Sequence, residues 1–180
     1  MNYGGSTGYG KEYRNRLKGN WGIVDVQDCC NAALYLVSEN KVNRDKLCIY
    51  GGSAGGFTTL ACLAFRPDVF KVGCSLYGVA DLTLLMKDTH KFESRYLDGL
   101  IGKYEETKAV YEERSPINKA ENIACPCIFF QGEEDRVVPK EQSELMVESL
   151  KKKGIPVSYV LYEGEGHGKR EKRKGINVFF

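Results

Sequence analysis

Three residue types able to run acyl transfer occupy comparable places along the chain: Ser53 in GGSAGGF, Asp135 in GEEDRVVP and His167 in EGEGHGK. Each follows a short apolar run that reads as a strand, at the end where parallel α/β sheets gather their chemistry. A serine hydroxyl becomes a nucleophile when an imidazole takes its proton, and a carboxylate fixes the imidazole tautomer and stabilises the imidazolium. The expected roles are therefore Ser53 as nucleophile, His167 as general base and then acid, and Asp135 as its orienting partner. The backbone N–H of Ala54, at a helix N-terminus, is expected to receive the oxyanion.

Gly51 and Gly55 bracket Ser53 in a G-x-S-x-G pattern, which a serine on a sharp strand-to-helix bend requires of its neighbours. Two phosphate-binding alternatives fail on their own terms. A phosphate loop needs Lys and Ser/Thr after its last glycine, where Gly56 is followed by Phe57, and a dinucleotide fingerprint needs glycine where Ser53 stands. Taken singly, Asp135 reads equally well as a turn residue and His167 as a solvated loop histidine. Their joint occurrence after successive strands, in the order Ser, Asp, His, is what favours catalysis, and that order belongs to α/β-hydrolases. Asp81 follows the second strand and Asp98 lies in an insertion, so both fit the acid less well, and His90 precedes Asp135.

The elements that must hold these residues can be read in order. The first 22 residues are rich in glycine and tyrosine, lack a hydrophobic period and are expected to form a loop. Asn20 is expected to cap a helix whose Val26, Cys30, Ala33 and Val37 recur on one face. Leu47 to Tyr50 lacks polar alternation, as in a strand buried on both faces, and the helix after Ser53 stops at Arg66-Pro67. Further strands are expected at Lys71 to Tyr77, Cys127 to Gln131 and Val157 to Tyr162, with a helix from Pro139 to about Lys153, ended by Gly154. Strand and helix alternate, which predicts an α/β fold with a parallel sheet and helices on both faces. Between Gly78 and Ala124 lies a polar insertion that either shapes a substrate pocket or is a layer of surface helices. There, His90, Glu93 and Arg95 could bind a substrate terminus or form a surface ion-pair cluster.

With 180 residues and 42% hydrophobic residues, the chain is long and apolar enough to bury one core. A net charge of +2 from 26 basic and 24 acidic residues gives no field suited to nucleic acid or membrane, and neither is expected as a partner. Cys48, Cys62, Cys74 and Cys127 lie in apolar segments, where a thiol acts as a small hydrophobe. The odd total of 7 cysteines points to a reducing, cytoplasmic setting. Two histidines and no zinc-type spacing predict no metal and no cofactor.

On NYGGSTGYG, GNWGIVDVQD, GGSAGGF, DTHKFESRYLDGLIG, ERSPINKAENIACPCIFFQGEEDRVVP and EGEGHG, the chain resembles the catalytic domain of the prolyl oligopeptidase family of serine peptidases. The likeness is closest to the acylaminoacyl-peptidase and dipeptidyl-aminopeptidase branch. It implies that Ser53, Asp135 and His167 match the family triad and that short peptides are hydrolysed near their ends. It also implies a β-propeller in the full-length protein. Gly4 stands where that family usually has arginine. Relative to the family, the chain lacks the first strands and the closing helix of the α/β-hydrolase fold. Residues 1–168 are expected to form a partial catalytic domain, and 169–180 a poorly ordered basic tail.

The second oxyanion donor in this fold comes from a loop after an earlier strand, so weak turnover is expected of the chain as it stands. A carboxylesterase with the same triad and a non-catalytic fragment are the competing readings. The sequence is compatible with a monomer or an oligomer.

Overall fold

The computed structural model describes residues 1–88 and 91–168, with the backbone alone at 88 and 91–95. Four parallel strands, β1 (Cys48–Gly52), β2 (Val72–Leu76), β3 (Cys127–Gly132) and β4 (Val157–Tyr162), pair in sequential order. Before β1 come α1 (Gly10–Asn15) and α2 (Val24–Ser38). α3 (Ala54–Phe65) links β1 to β2, and α7 (Glu141–Lys152) links β3 to β4. Between β2 and β3 the insertion folds as α4 (Leu82–Asp88), α5 (Lys91–Leu100), α6 (Tyr104–Arg114) and a 3-10 segment, Pro116–Asn122.

The strands and helices fall where the apolar runs place them. α3 ends at Phe65, ahead of Pro67. α7 ends in a left-handed Gly154 (φ 76°), with Ile155 N–H donating to the Leu150 carbonyl at 3.0 Å. A sheet in sequential order with right-handed crossovers returns each connecting helix to the same face. Accordingly α3 packs on β1 and β2, α7 on β3 and β4, and α2 on α3. Phe57, Leu60, Phe129, Met146 and Leu150 fill the space between, each at most 1% exposed. Burying side chains of this size stabilises the fold by roughly 1.5–3 kcal/mol apiece.

Among the described residues the opposite sheet face has no such cover. It carries the in-register row Tyr50, Cys74, Ile128 and Ser158, with Tyr50 67% exposed. β1 is therefore buried on one side only, and Cys48 is exposed rather than part of the core expected for it. The remaining thiols of the apolar segments, Cys62, Cys74 and Cys127, are buried or half-buried.

Two expectations for the N-terminal stretch are corrected. Gly10–Asn15 is a helix, not loop, and it buries none of its residues, so it has no hydrophobic period to read. Asn20 does not cap α2: its amide donates backward to the Arg16 and Lys18 carbonyls at 3.3 and 3.0 Å. The start of α2 is fastened instead by buried Asp25, whose Oδ1 accepts the Gly22 N–H at 2.7 Å. Gly4 fits a tight place, since a Cβ there would lie 2.8 Å from the Val24 side chain. Its N–H donates to Asp28 at 2.8 Å.

Candidate active site

β1 turns into α3 at Ser53, whose backbone lies at φ 53°, ψ −119°, a region that a residue with a Cβ seldom enters. Surrounding contacts hold it there. Ser53 N–H donates to the Leu76 carbonyl at the end of β2 (2.9 Å), and its own carbonyl accepts from Phe57 N–H (3.0 Å). A Cβ on Gly51 would overlap the Gly55 carbonyl oxygen, and one on Gly56 would fall 2.5 Å from the Gly78 Cα. Space thus demands glycine at 51 and 56. At Gly55 an added Cβ meets nothing within 4 Å, so the second glycine of the expected bracket is not sterically required.

Asp135 follows β3 and His167 follows β4, and their two loops are locked together. Glu133 N–H donates to the Tyr162 carbonyl and Glu134 N–H to the Glu165 carbonyl (3.0 and 2.9 Å). Across this lock, His167 Nδ1 lies 2.8 Å from Asp135 Oδ2, and His167 Nε2 lies 2.8 Å from Ser53 Oγ. The Asp135 side chain is fully buried, the His167 side chain 23% exposed. Asp135 Oδ1 accepts the N–H groups of Val137 and Val138, each at 2.9 Å, so the carboxylate presents Oδ2 to the imidazole.

The structure brings Ser53, His167 and Asp135 together, as expected from their order. Ala54 opens α3 immediately after Ser53, with its N–H among the first-turn donors of the helix. Asp81 is committed elsewhere: its Oδ1 caps α4 through Thr83 and Leu84 N–H at 2.8 and 3.0 Å. His90 and the side chains of Glu93 and Arg95 lie outside the described residues.

Three contributions to the site have weaker signals in the sequence. Tyr77, at φ 40°, donates its N–H to the Phe130 carbonyl (2.7 Å) and sets its ring against His167, centroids 4.8 Å apart. Gln131, the penultimate residue of β3, has its amide buried and donates to Asp135 Oδ2 at 3.2 Å. Asp25 Oδ2 accepts the Thr58 hydroxyl at 2.6 Å and so joins α2 to the first turns of α3. Burial raises the Asp25 carboxyl above the ordinary carboxylate range, and the hydrogen bonds from Thr58 and Gly22 partly offset this.

Beside the elbow opens a cleft of about 270 Å³, lined among others by Tyr3, Leu17, Trp21, Ala54, Tyr96 and Leu100. Trp21, one of the lining residues, packs against Phe57 with ring centroids 4.2 Å apart. The cleft lining mixes apolar and aromatic side chains with polar atoms, those of Ser6 among them. Among the described residues no cluster of His, Cys, Asp or Glu could hold a metal ion.

A parallel α/β sheet that carries a hydrogen-bonded Ser–His–Asp chain at the C-terminal ends of its strands is the arrangement of the α/β-hydrolase fold. The chain belongs to the prolyl oligopeptidase family, whose model matches residues 1–179. It is 33% identical over 185 residues to dipeptidyl aminopeptidase BIII of Pseudoxanthomonas mexicana, covering 99% of this chain and 27% of that protein. A puromycin-hydrolyzing peptidase of Mycobacterium tuberculosis superposes with a TM-score of 0.89 at 49% identity, over 93% of this chain and 25% of that one. The acylaminoacyl peptidase of Pyrococcus horikoshii matches with a TM-score of 0.84 at 27% identity, over 93% of this chain and 27% of that one. The chain thus spans about a quarter of the length of these relatives.

Proposed function

We propose that this chain carries the catalytic centre of a serine peptidase that cleaves peptide bonds of short peptides through an acyl-enzyme on Ser53. One observation carries the reading: the unbroken hydrogen-bonded chain from Ser53 Oγ through both nitrogens of His167 to buried Asp135, at 2.8 Å in each link. In the acylation step, His167 Nε2 takes the Ser53 proton as Oγ bonds to the substrate carbonyl carbon. Asp135 accepts the Nδ1 proton bond and balances the imidazolium. The carbonyl oxygen gains its negative charge facing Ala54 N–H. His167 then protonates the leaving amine, the C–N bond breaks, and a water repeats the sequence in reverse to free Ser53.

The cleft next to Ala54, with Leu17, Trp21 and Leu100 in its lining, is the space beside Ser53 in which a substrate side chain would sit. The names of the relatives, a dipeptidyl aminopeptidase and a puromycin-hydrolyzing peptidase, support an amide substrate for this chain as well. All 7 cysteines are free thiols, which supports the reading of a reducing, cytoplasmic setting. Among the described residues no helix is long and apolar enough to cross a membrane.

The test is turnover of an acyl-peptide amide with an apolar residue before the scissile bond, beside the matched ester. Hydrolysis of both, lost together in Ser53→Ala, is the expected result. Turnover of the ester alone would make the protein a carboxylesterase.

A further inference from the structure

The hydrogen-bonded chain does not stop at Asp135. Gln131 Nε2 donates to Asp135 Oδ2 (3.2 Å) and to the Val138 carbonyl (3.0 Å), while Gln131 Oε1 accepts the Ser143 hydroxyl at 2.8 Å. Gln131 and Ser143 are each 1% exposed. Three acceptors around one end of the amide, the Gly132 carbonyl at 3.5 Å being the third, and a hydroxyl donor on the other leave a single consistent orientation for it. The oxygen that Gln131 touches is the same Oδ2 that faces His167 Nδ1.

A glutamine at the end of an apolar strand is costly to bury unless its polar atoms are bonded. Leucine or methionine would fill the space without that need. The amide offers what they cannot: a donor on the outer side of the carboxylate. Val137 and Val138 fix Oδ1, but two bonds to one oxygen leave the carboxylate plane free to rock about it. The Gln131 bond supplies the second anchor and sets where Oδ2 lies. Because β3 carries Gln131 and α7 carries Ser143, the anchor ties the catalytic loop to both rigid elements beneath it.

We propose that Gln131, itself held by Ser143, is a positioning residue of the peptidase reaction, fixing the Asp135 oxygen that orients His167. This inference rests on the triad reading proposed above. Gln131 acts through Asp135 and touches neither the substrate nor Ser53, so its loss should act on the chemical step and leave substrate binding nearly unchanged.

Gln131→Met keeps the side-chain length without the donor. It should lower kcat about tenfold with KM within about twofold of wild type, and should move the downfield proton resonance of the His167 Nδ1–H. Ser143→Ala should shift kcat and that resonance in the same direction by less. The double variant should be no slower than Gln131→Met, because Ser143 acts only through Gln131. Full kcat with an unmoved resonance in Ser143→Ala and in Gln131→Met would overturn the proposal, as would a double variant whose losses multiply. Should Gln131→Met fail to fold, the Ser143→Ala resonance and kcat decide alone: both unchanged would overturn it. Fluorophosphonate labelling of the wild-type protein separates this outcome from failure of the triad reading. Labelling at Ser53 leaves the triad in place whatever the Gln131 result, and labelling elsewhere removes both.

Discussion

His167 Nε2 stands 2.8 Å from Ser53 Oγ although 114 positions separate the two residues in the chain. Two crossovers and the insertion lie between them, and the contact is made only because β1 and β4 belong to one sheet with their C-terminal ends together. The interlocked loops after β3 and β4 then place the imidazole over the elbow. A Cβ on Gly132 would overlap the Glu165 and Gly166 carbonyls, so that lock is tight.

If His167 and Asp135 form the charge-balanced pair, His167→Ala and Asp135→Asn should each lower kcat/KM by about 10³-fold or more. Asp81→Asn should not. Asp81 caps α4, so its loss should appear as about 1 kcal/mol of stability with kcat/KM nearly retained. Steady-state kinetics and thermal melts on the three variants check this, and comparable kinetic losses at Asp81 and Asp135 would contradict the assignment.

The elbow makes a steric prediction that separates two neighbouring glycines. Gly51→Ala should cost about 3 kcal/mol or more, because its Cβ overlaps backbone that has nowhere to move. Gly55→Ala should stay within about 1 kcal/mol of wild type, as its Cβ enters open space on a helix. Denaturant midpoints measure both, and equal destabilisation would refute the packing described here.

Much of this was legible before the structure. The glycine-bracketed serine, the strand ends and the order Ser, Asp, His follow from local residue type and from the strong apolar runs that form β1, β3 and β4. What was not legible is non-local. Alternation of strands and helices says that a sheet is parallel, but strand order decides which face each helix covers, and the sequential order puts the packed helices beside Ile49, Cys127 and Val157 rather than Tyr50 and Cys74. Gly10–Asn15 carries no apolar stripe because it buries nothing. Tyr77 and Gln131 join the site through contacts across strands and loops, although a buried glutamine closing an apolar strand was a signal available in CIFFQ.

Asp25 gives a pH prediction. Burial raises its carboxyl above the ordinary range, so the folded protein holds that proton to higher pH than the unfolded chain does. Such a group contributes stability that is fully present below the unfolded pKa, about 3.9, and is lost as pH rises through the folded value. Asp25→Asn keeps an acceptor for Gly22 N–H and lets the Thr58 hydroxyl turn toward the Ala54 carbonyl, 3.3 Å away. The Tm of wild type relative to Asp25→Asn should therefore fall as pH rises from about 4. A difference in Tm that is constant with pH would contradict the burial argument.

The central claim is that Ser53 is the nucleophile, and the most direct measurement is covalent labelling by a fluorophosphonate followed by mass mapping of the modified residue. Among the other serines, Ser75 and Ser115 are buried, 2% and 0% exposed, and are closed to the probe. One label per chain at Ser53, abolished in Ser53→Ala and slowed in His167→Ala, is the predicted result. Labelling that persists in Ser53→Ala, or that maps to Ser6, Ser75 or Ser115, would contradict the account.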